Sequence, residues 1–134
     1  MALQACSDGL RGRRLLEVSC GLGGGLDHLN RRHCIGSASG LHRCAIAVRQ
    51  ARHRFGLNAL AGDARRLPFA DRSFDTILNV EASHLYFGRE FLREFARVLS
   101  PSGTVLMADI RYRSPPESER VVREVFAKAG FEVT

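Results

Sequence analysis

The sequence predicts an α/β protein built on a doubly wound, mostly parallel sheet. Three observations carry that expectation. Short apolar runs alternate with amphipathic stretches along the chain. The run "FDTILNV" (74–80) is apolar almost throughout, as a strand is when helices cover both of its faces. Glycines 21, 23, 24 and 25 follow the first apolar run directly, at the place where such a sheet turns from strand to helix.

The elements follow in order. "RLLEVS" (14–19) reads as a short buried strand. Residues 24–32 read as a helix with Leu26 and Leu29 on one side. "HCIGS" (33–37) is a second, weaker strand. Residues 41–55 form the clearest helix, because Leu41, Cys44, Val48, Ala51 and Phe55 recur at helical spacing opposite a face of Arg and His. "LNALAG" (57–62) is a third strand ending at Gly62-Asp63, and the loop "ARRLPFADRSF" precedes the fourth, 74–80. Residues 88–99 form a helix whose inner stripe is Phe91, Leu92, Phe95, Val98 and Leu99. "SPSG" is a turn and "TVLMADI" (104–110) a fifth strand. The last helix, 117–129, follows Pro115-Pro116 and ends at Gly130, and "FEVT" opens a sixth strand.

Composition bounds the function. The 134 residues suggest one domain over 1–134, with 45% hydrophobic and 25% charged residues, an ordinary globular balance. No apolar stretch approaches a membrane span, and the first residues lack a signal-peptide core, so the expectation is a cytoplasmic protein. Cys6, Cys20, Cys34 and Cys44 match no zinc spacing and no Cys-x-x-Cys pair, which predicts reduced thiols and no metal. The net charge is +6, and all but one of the basic residues are arginine. These arginines are scattered and lack interleaved stacking aromatics, which makes a nucleic-acid partner the weaker reading.

The glycine loop "CGLGGG" (20–25) lies between a strand and a helix, where a bare backbone lets a ligand approach the free N–H groups at the helix start. It is not a phosphate loop, which ends in Gly-Lys-Ser/Thr. Nor is it a dinucleotide loop, because Leu26 stands where that pattern needs glycine. Glu17, four positions before Gly21, suits a ligand with a cationic group better than a pyrophosphate.

"LLEVSCGLGGG" resembles the first motif of class I S-adenosylmethionine-dependent methyltransferases. "AGDARRLPFADRSFDTILNVEASHLY" and "FLREFARVLSPSGTVLMADIR" resemble later motifs of their small-molecule (type 11) subgroup. The likeness extends from about Arg13 to Asp109. "EVSCGLGGG" with "NVEASHLY" resembles, more narrowly, O-methyltransferases of polyketide-derived lipids. The resemblance implies a Rossmann-like fold, S-adenosyl-L-methionine as cofactor and a small-molecule or lipid acceptor. It implies that Glu17 holds the methionyl ammonium, that Gly21 and Gly23 lie against the methionyl and ribose parts, that Asp63 with the backbone of Ala64 meets the adenine amino group, and that Asn79 offers its backbone to the methionyl group.

Two departures accompany the resemblance. The family usually carries an acidic residue at the end of strand two. Aligned on Ile35-Gly36, that position is Ala38, which predicts a cofactor site weaker by about ten- to a hundredfold. The family also continues through two further strands, so the sheet is expected to be truncated at its C-terminal edge, with strand five exposed. A catalytically inactive remnant of the fold is the alternative these departures motivate. An RNA-associated basic module is a third reading, against which "NVEA" stands where base-nitrogen methylation uses an Asn/Asp-Pro-Pro motif.

For methyl transfer to a hydroxyl, the protein must position the acceptor and remove a proton. The candidates follow strand four: His84 as base, with Glu81, and Tyr86 lining the acceptor pocket. Asp109, at the end of strand five, lies on the same sheet edge. His28, His33, His42 and His53 read as helix or surface residues.

Overall fold

Strand β1 (Arg14–Val18) occupies the middle of a five-stranded sheet in the order β3-β2-β1-β4-β5, and every pairing is parallel. The other strands are β2 (Ser37–His42), β3 (Asn58–Ala61), β4 (Phe74–Val80) and β5 (Leu99–Ala108). Helices α1 (Gly24–Arg32), α2 (Ala45–Phe55), α3 (Arg89–Val98) and α4 (Pro115–Lys128) connect or follow them. The computed structural model describes residues 8–82, 89–109 and 115–133.

Both faces of the central strands β1 and β4 are buried, and the alternation along β1 shows how. Leu15 packs with Leu78, Ala59 and the inner faces of α1 (Leu26, Leu29) and α2 (Val48, Ala51). Leu16 and Val18 point the other way, into a second core with Ile77, Phe91, Leu92 and Phe95 of α3 and Phe126 of α4. Phe91 and Phe95 meet edge to face with ring centroids 5.2 Å apart. The strand order reverses between β1 and β4, so the C-terminal ends of these two strands open a crevice at the switch point.

Some expectations shift. Strand two is Ser37–His42 and not 33–37, and α2 accordingly begins at Ala45 rather than at Leu41. The reason is close packing: β2 is made of small residues because α1 and the glycine loop press on it. A Cβ at Gly40 would stand 2.8 Å from Cys20 Sγ and 3.3 Å from Leu26. An apolar-run reading passes over such a strand. Cys44 is the exposed cap residue of α2, whose buried face is Ala47, Val48 and Ala51. "SPSG" lies within the span of β5 but leaves the pairing with β4, since Phe74 pairs with Leu99 and Thr76 with Thr104.

Residues 131–133 form no sixth strand. Gly130 (φ 87°) reverses the chain; its N–H donates to Ala127 O, and Phe131 N–H donates to Phe126 O, both at 3.0 Å. The Phe131 ring then packs on Phe126. This is the hydrogen-bond pair and apolar contact that close a helix C-terminus, and they turn the chain back along α4.

The loop between β3 and β4 is fastened to α3 by two side chains, Arg97 and Glu94. The Arg97 guanidinium donates to the carbonyls of Leu67 (2.9 Å) and Phe69 (2.8 Å), and to Asp71 and Glu94. Glu94 in turn accepts the Leu67 N–H. The Glu94 carboxylate beside it holds the Arg97 guanidinium firmly in its charged form.

Candidate functional site

The chain leaves β1 through a sharp turn. Ser19 (φ 68°), Gly21 (φ 55°) and Gly23 (φ 83°) all adopt left-handed backbone, and the Ser19 and Cys20 N–H groups both donate to Leu41 O. Gly23 then precedes α1. A Cβ there would stand 2.6 Å from Leu57 and 2.9 Å from Ala51, so this position needs glycine for both its φ and its neighbours.

Beneath this turn lies Glu17. It is 7% exposed, its Oε2 has no hydrogen-bond partner among the described residues, and the Leu26 N–H of α1 approaches its carboxylate. Burial pushes its pKa up to about 7, against which the single backbone donor works. A buried carboxyl with an open oxygen under a bare-backbone loop is a site for a cationic or multiply donating group. Gly25 keeps the space beside it open, since a Cβ there would come within 3.4 Å of Oε1.

The other strand ends complete the edge. Asn79, fully buried at the end of β4, donates from Nδ2 to Val18 O at 3.0 Å and so ties β4 to β1 at the switch point. Asp63, just past β3, is gripped by Arg65 at 2.6 Å and accepts the Arg65 N–H, which lowers its pKa to about 2. Ala64 beside it is buried. A cavity of about 240 Å³ opens here, lined by Ser19, His42, Arg43, Asp63, Ala64 and Arg65 among others.

The structure therefore brings Glu17, Gly21, Gly23, Asp63, Ala64 and Asn79 to one edge of the sheet. Glu81 lies just beyond β4, exposed, with φ 51° and its N–H donating to Ala108 O. His84 and Tyr86 lie outside the described residues. Ala38 does not occupy the end of strand two. It pairs with Leu15 near the start of β1 and packs against the core on the α1 side. The end of β2 is His42, which the sequence reading left among the surface histidines. The missed signal is "SGLHRC" (39–44), a small-residue strand running into a polar residue just before a helix.

Cys20 is buried next to Glu17, and burial with that neighbour pushes its thiol pKa up to about 11, far from a reactive thiolate. Among the described residues no group of three His, Cys, Asp or Glu could hold a metal ion, and no helix is long and apolar enough to cross a membrane.

The fold and the strand-end cavity define a Rossmann-like α/β protein with an open edge at the C-terminal ends of its strands. Residues 16–107 match a family profile described as a methyltransferase domain, and the chain belongs to that family. It is 50% identical over 107 residues to phthiotriol/phenolphthiotriol dimycocerosates methyltransferase 1 of Mycobacterium ulcerans, covering 76% of this chain and 39% of that protein. It is 43% identical over 120 residues to the fatty-acid O-methyltransferase of Mycolicibacterium smegmatis, covering 86% and 44%. The chain thus spans about two fifths of the length of these relatives. Among solved structures, a chain in the complex of the Haloferax volcanii Trm112 methyltransferase activator with its methyltransferase superposes with TM-score 0.85 at 30% identity, covering 99% of this chain and 67% of that one. A SAM-dependent methyltransferase from Aquifex aeolicus shares the fold, with TM-score 0.80 at 24% identity over 98% of this chain and 79% of that one.

S-adenosyl-L-methionine is the cofactor that family membership implies. The residues present fit it. Glu17 offers an open buried carboxylate oxygen for an ammonium group, the glycine loop offers bare backbone, and the cavity at Asp63 has room for part of a nucleoside.

Proposed function

We propose that the protein transfers the methyl group of S-adenosyl-L-methionine to a hydroxyl of a lipid-like acceptor. The observation that carries the reading is the buried Glu17 carboxyl with an open oxygen beneath the glycine loop. The names of the relatives, a phthiotriol/phenolphthiotriol dimycocerosates methyltransferase and a fatty-acid O-methyltransferase, support the acceptor class. When bound, the cofactor supplies an electrophilic methyl group on a sulfonium.

This chain's residues would do the rest. Glu17, ionised, holds the methionyl ammonium and fixes that end of the cofactor. Gly21 and Gly23 let the loop backbone lie against it. Asn79 holds β1 and β4 together at the crevice, with its backbone facing the methionyl part. Asp63 and the backbone of Ala64 receive the base. With that methyl group in place, the protein's part would be to position the acceptor hydroxyl and take up its proton. His84 is the base in this reading, with Glu81 and Tyr86 lining the acceptor side.

Calorimetric titration with S-adenosyl-L-methionine tests the cofactor step. The native chain should bind, and Glu17→Gln should bind at least about tenfold more weakly, as expected when a charged hydrogen bond is lost. Equal affinities would remove Glu17 from the site, and no binding by the folded native chain would overturn the function. For chemistry, transfer of labelled methyl from the cofactor to a long-chain alcohol should fall sharply in His84→Ala.

A further inference from the structure

We infer that the sheet edge carrying the site docks on an anionic lipid surface, with Leu22 and Ile46 entering its apolar layer and the arginines of the α1–α2 side meeting its headgroups. The inference deepens the lipid-acceptor reading above and rests on it for its purpose. Among the described residues three large apolar side chains stand exposed: Leu22 at 53%, Ile46 at 65% and Val80 at 39%. One exposed aliphatic residue is ordinary. These three share an edge. Leu22 belongs to the turn between β1 and α1, Ile46 to the first turn of α2, just after β2, and Val80 ends β4. Gly23, next to Leu22, lies against Ala51 of α2, so the glycine turn and α2 pack side by side. The apolar rim therefore borders the mouth above Glu17.

Charge is distributed to match. Between Cys20 and Asn58 the chain carries six of its 20 basic residues but only one of its 14 acidic ones, Asp27. The six are Arg31, Arg32, Arg43, Arg49, Arg52 and Arg54, all exposed. Helices α1 and α2 cover the same face of the sheet, so this excess lies on one side of the molecule. Asp27 offsets only Arg31. Arg43 precedes Ile46 by three residues and Arg49 follows it by three, one helical turn along the same face, so charge and hydrocarbon are presented together. The other four arginines, in the last turns of α1 and α2, add to the field of that side. Of the acids at the edge, Asp63 is held by Arg65, and Glu81, Glu90 and Asp109 lie on the β4–β5 side. An anionic bilayer complements both features. Its surface potential strengthens binding about fivefold for each arginine close to it, and an apolar layer lies just beneath. Nucleic acid offers the charge without the apolar layer, and a face for it carries stacking aromatics; the sole Phe, Tyr or Trp between Cys20 and Asn58 is the half-buried Phe55. Docked in this way, the mouth of the site faces the bilayer, and a water-insoluble acceptor enters it without crossing water.

Flotation with vesicles tests the docking. At about 0.1 M salt the native chain should bind vesicles of equal parts phosphatidylcholine and phosphatidylglycerol, and not vesicles of phosphatidylcholine alone. Ile46→Ser and Arg49→Glu, each checked for native circular dichroism, should each weaken that binding about fivefold or more. Failure of the folded native chain to bind the anionic vesicles overturns the inference. Native-like binding by either variant overturns it too, since the surface must use both hydrocarbon and charge. Tighter binding of polyuridylate than of the vesicles would assign the arginines to nucleic acid instead. The docking and the activity fail separately, because flotation needs no cofactor. Vesicle binding without methyl transfer to a long-chain alcohol would remove the proposed function and keep the surface; transfer without vesicle binding would do the reverse.

Discussion

At the scale of single residues, Glu17 sets function against stability. Its pKa rises from 4.5 to about 7 in the folded chain through burial. A carboxyl whose folded pKa lies above its unfolded value stabilises the fold fully below the unfolded pKa, and that stability is lost as pH rises through about 7. At about 1.4 kcal/mol per unit, the shift amounts to about 3 kcal/mol. Glu17→Gln should therefore leave stability nearly unchanged at pH 4 and raise it by about 2–3 kcal/mol at pH 8, read by urea denaturation. The same titration shapes binding. Cofactor affinity should rise with pH between about 5 and 7 as Glu17 ionises, with one proton released per ligand bound near pH 6. Calorimetry in buffers of different ionisation enthalpy would count that proton, and Glu17→Gln should not release it. The burial of this residue was legible in the sequence, because it lies inside an apolar run just before a glycine loop. The position of His42 at the end of β2 was not, because small residues concealed that strand.

Among the elements, the turn from β1 into α1 and the clamp on the β3–β4 loop concentrate the energy. Gly23→Ala must place a side chain at φ 83° and against Leu57 and Ala51. Backbone strain and overpacking together should cost about 2–4 kcal/mol, seen as a lower urea midpoint at unchanged slope. Arg97→Ala strips donors from the Leu67 and Phe69 carbonyls and leaves Glu94 without its charged partner. It should cost about 2 kcal/mol, and amides of residues 67–71 should exchange faster than those of β1 and β4. The helices and the strands β1 and β4 could be read from periodicity, since apolar spacing is a local signal. The Arg97 clamp could not, because it joins residues some thirty positions apart whose carbonyls carry no mark in the sequence. The closing turn of α4 was half visible: Gly130 was recognised as a stop, but the packing of Phe131 on Phe126 redirected a segment that reads as a strand.

Across the whole molecule, two cores share one sheet, and the site lies where strands from both meet. Ligand binding at that edge is thus coupled to global unfolding. S-adenosylhomocysteine at a hundred times its dissociation constant should stabilise the chain by about 2.7 kcal/mol, a rise of about 10 °C in thermal midpoint; an unchanged midpoint would mean that the site does not form. The fold class was legible from the alternation of strand and helix, because that pattern leaves few topologies. The pressing of α1 on β2 has a further meaning for how this protein can diversify. Where Gly40 meets Cys20 and Leu26, nothing larger than a hydrogen fits, so the half of the site beside β2 and β3 has little freedom to vary. Val80, the last residue of β4, and Glu81 just beyond it are exposed. Random mutagenesis selected for new acceptors should therefore enrich changes on the β4 side and return β2 almost untouched, so that ancestry is recorded on one flank of the crevice and innovation on the other.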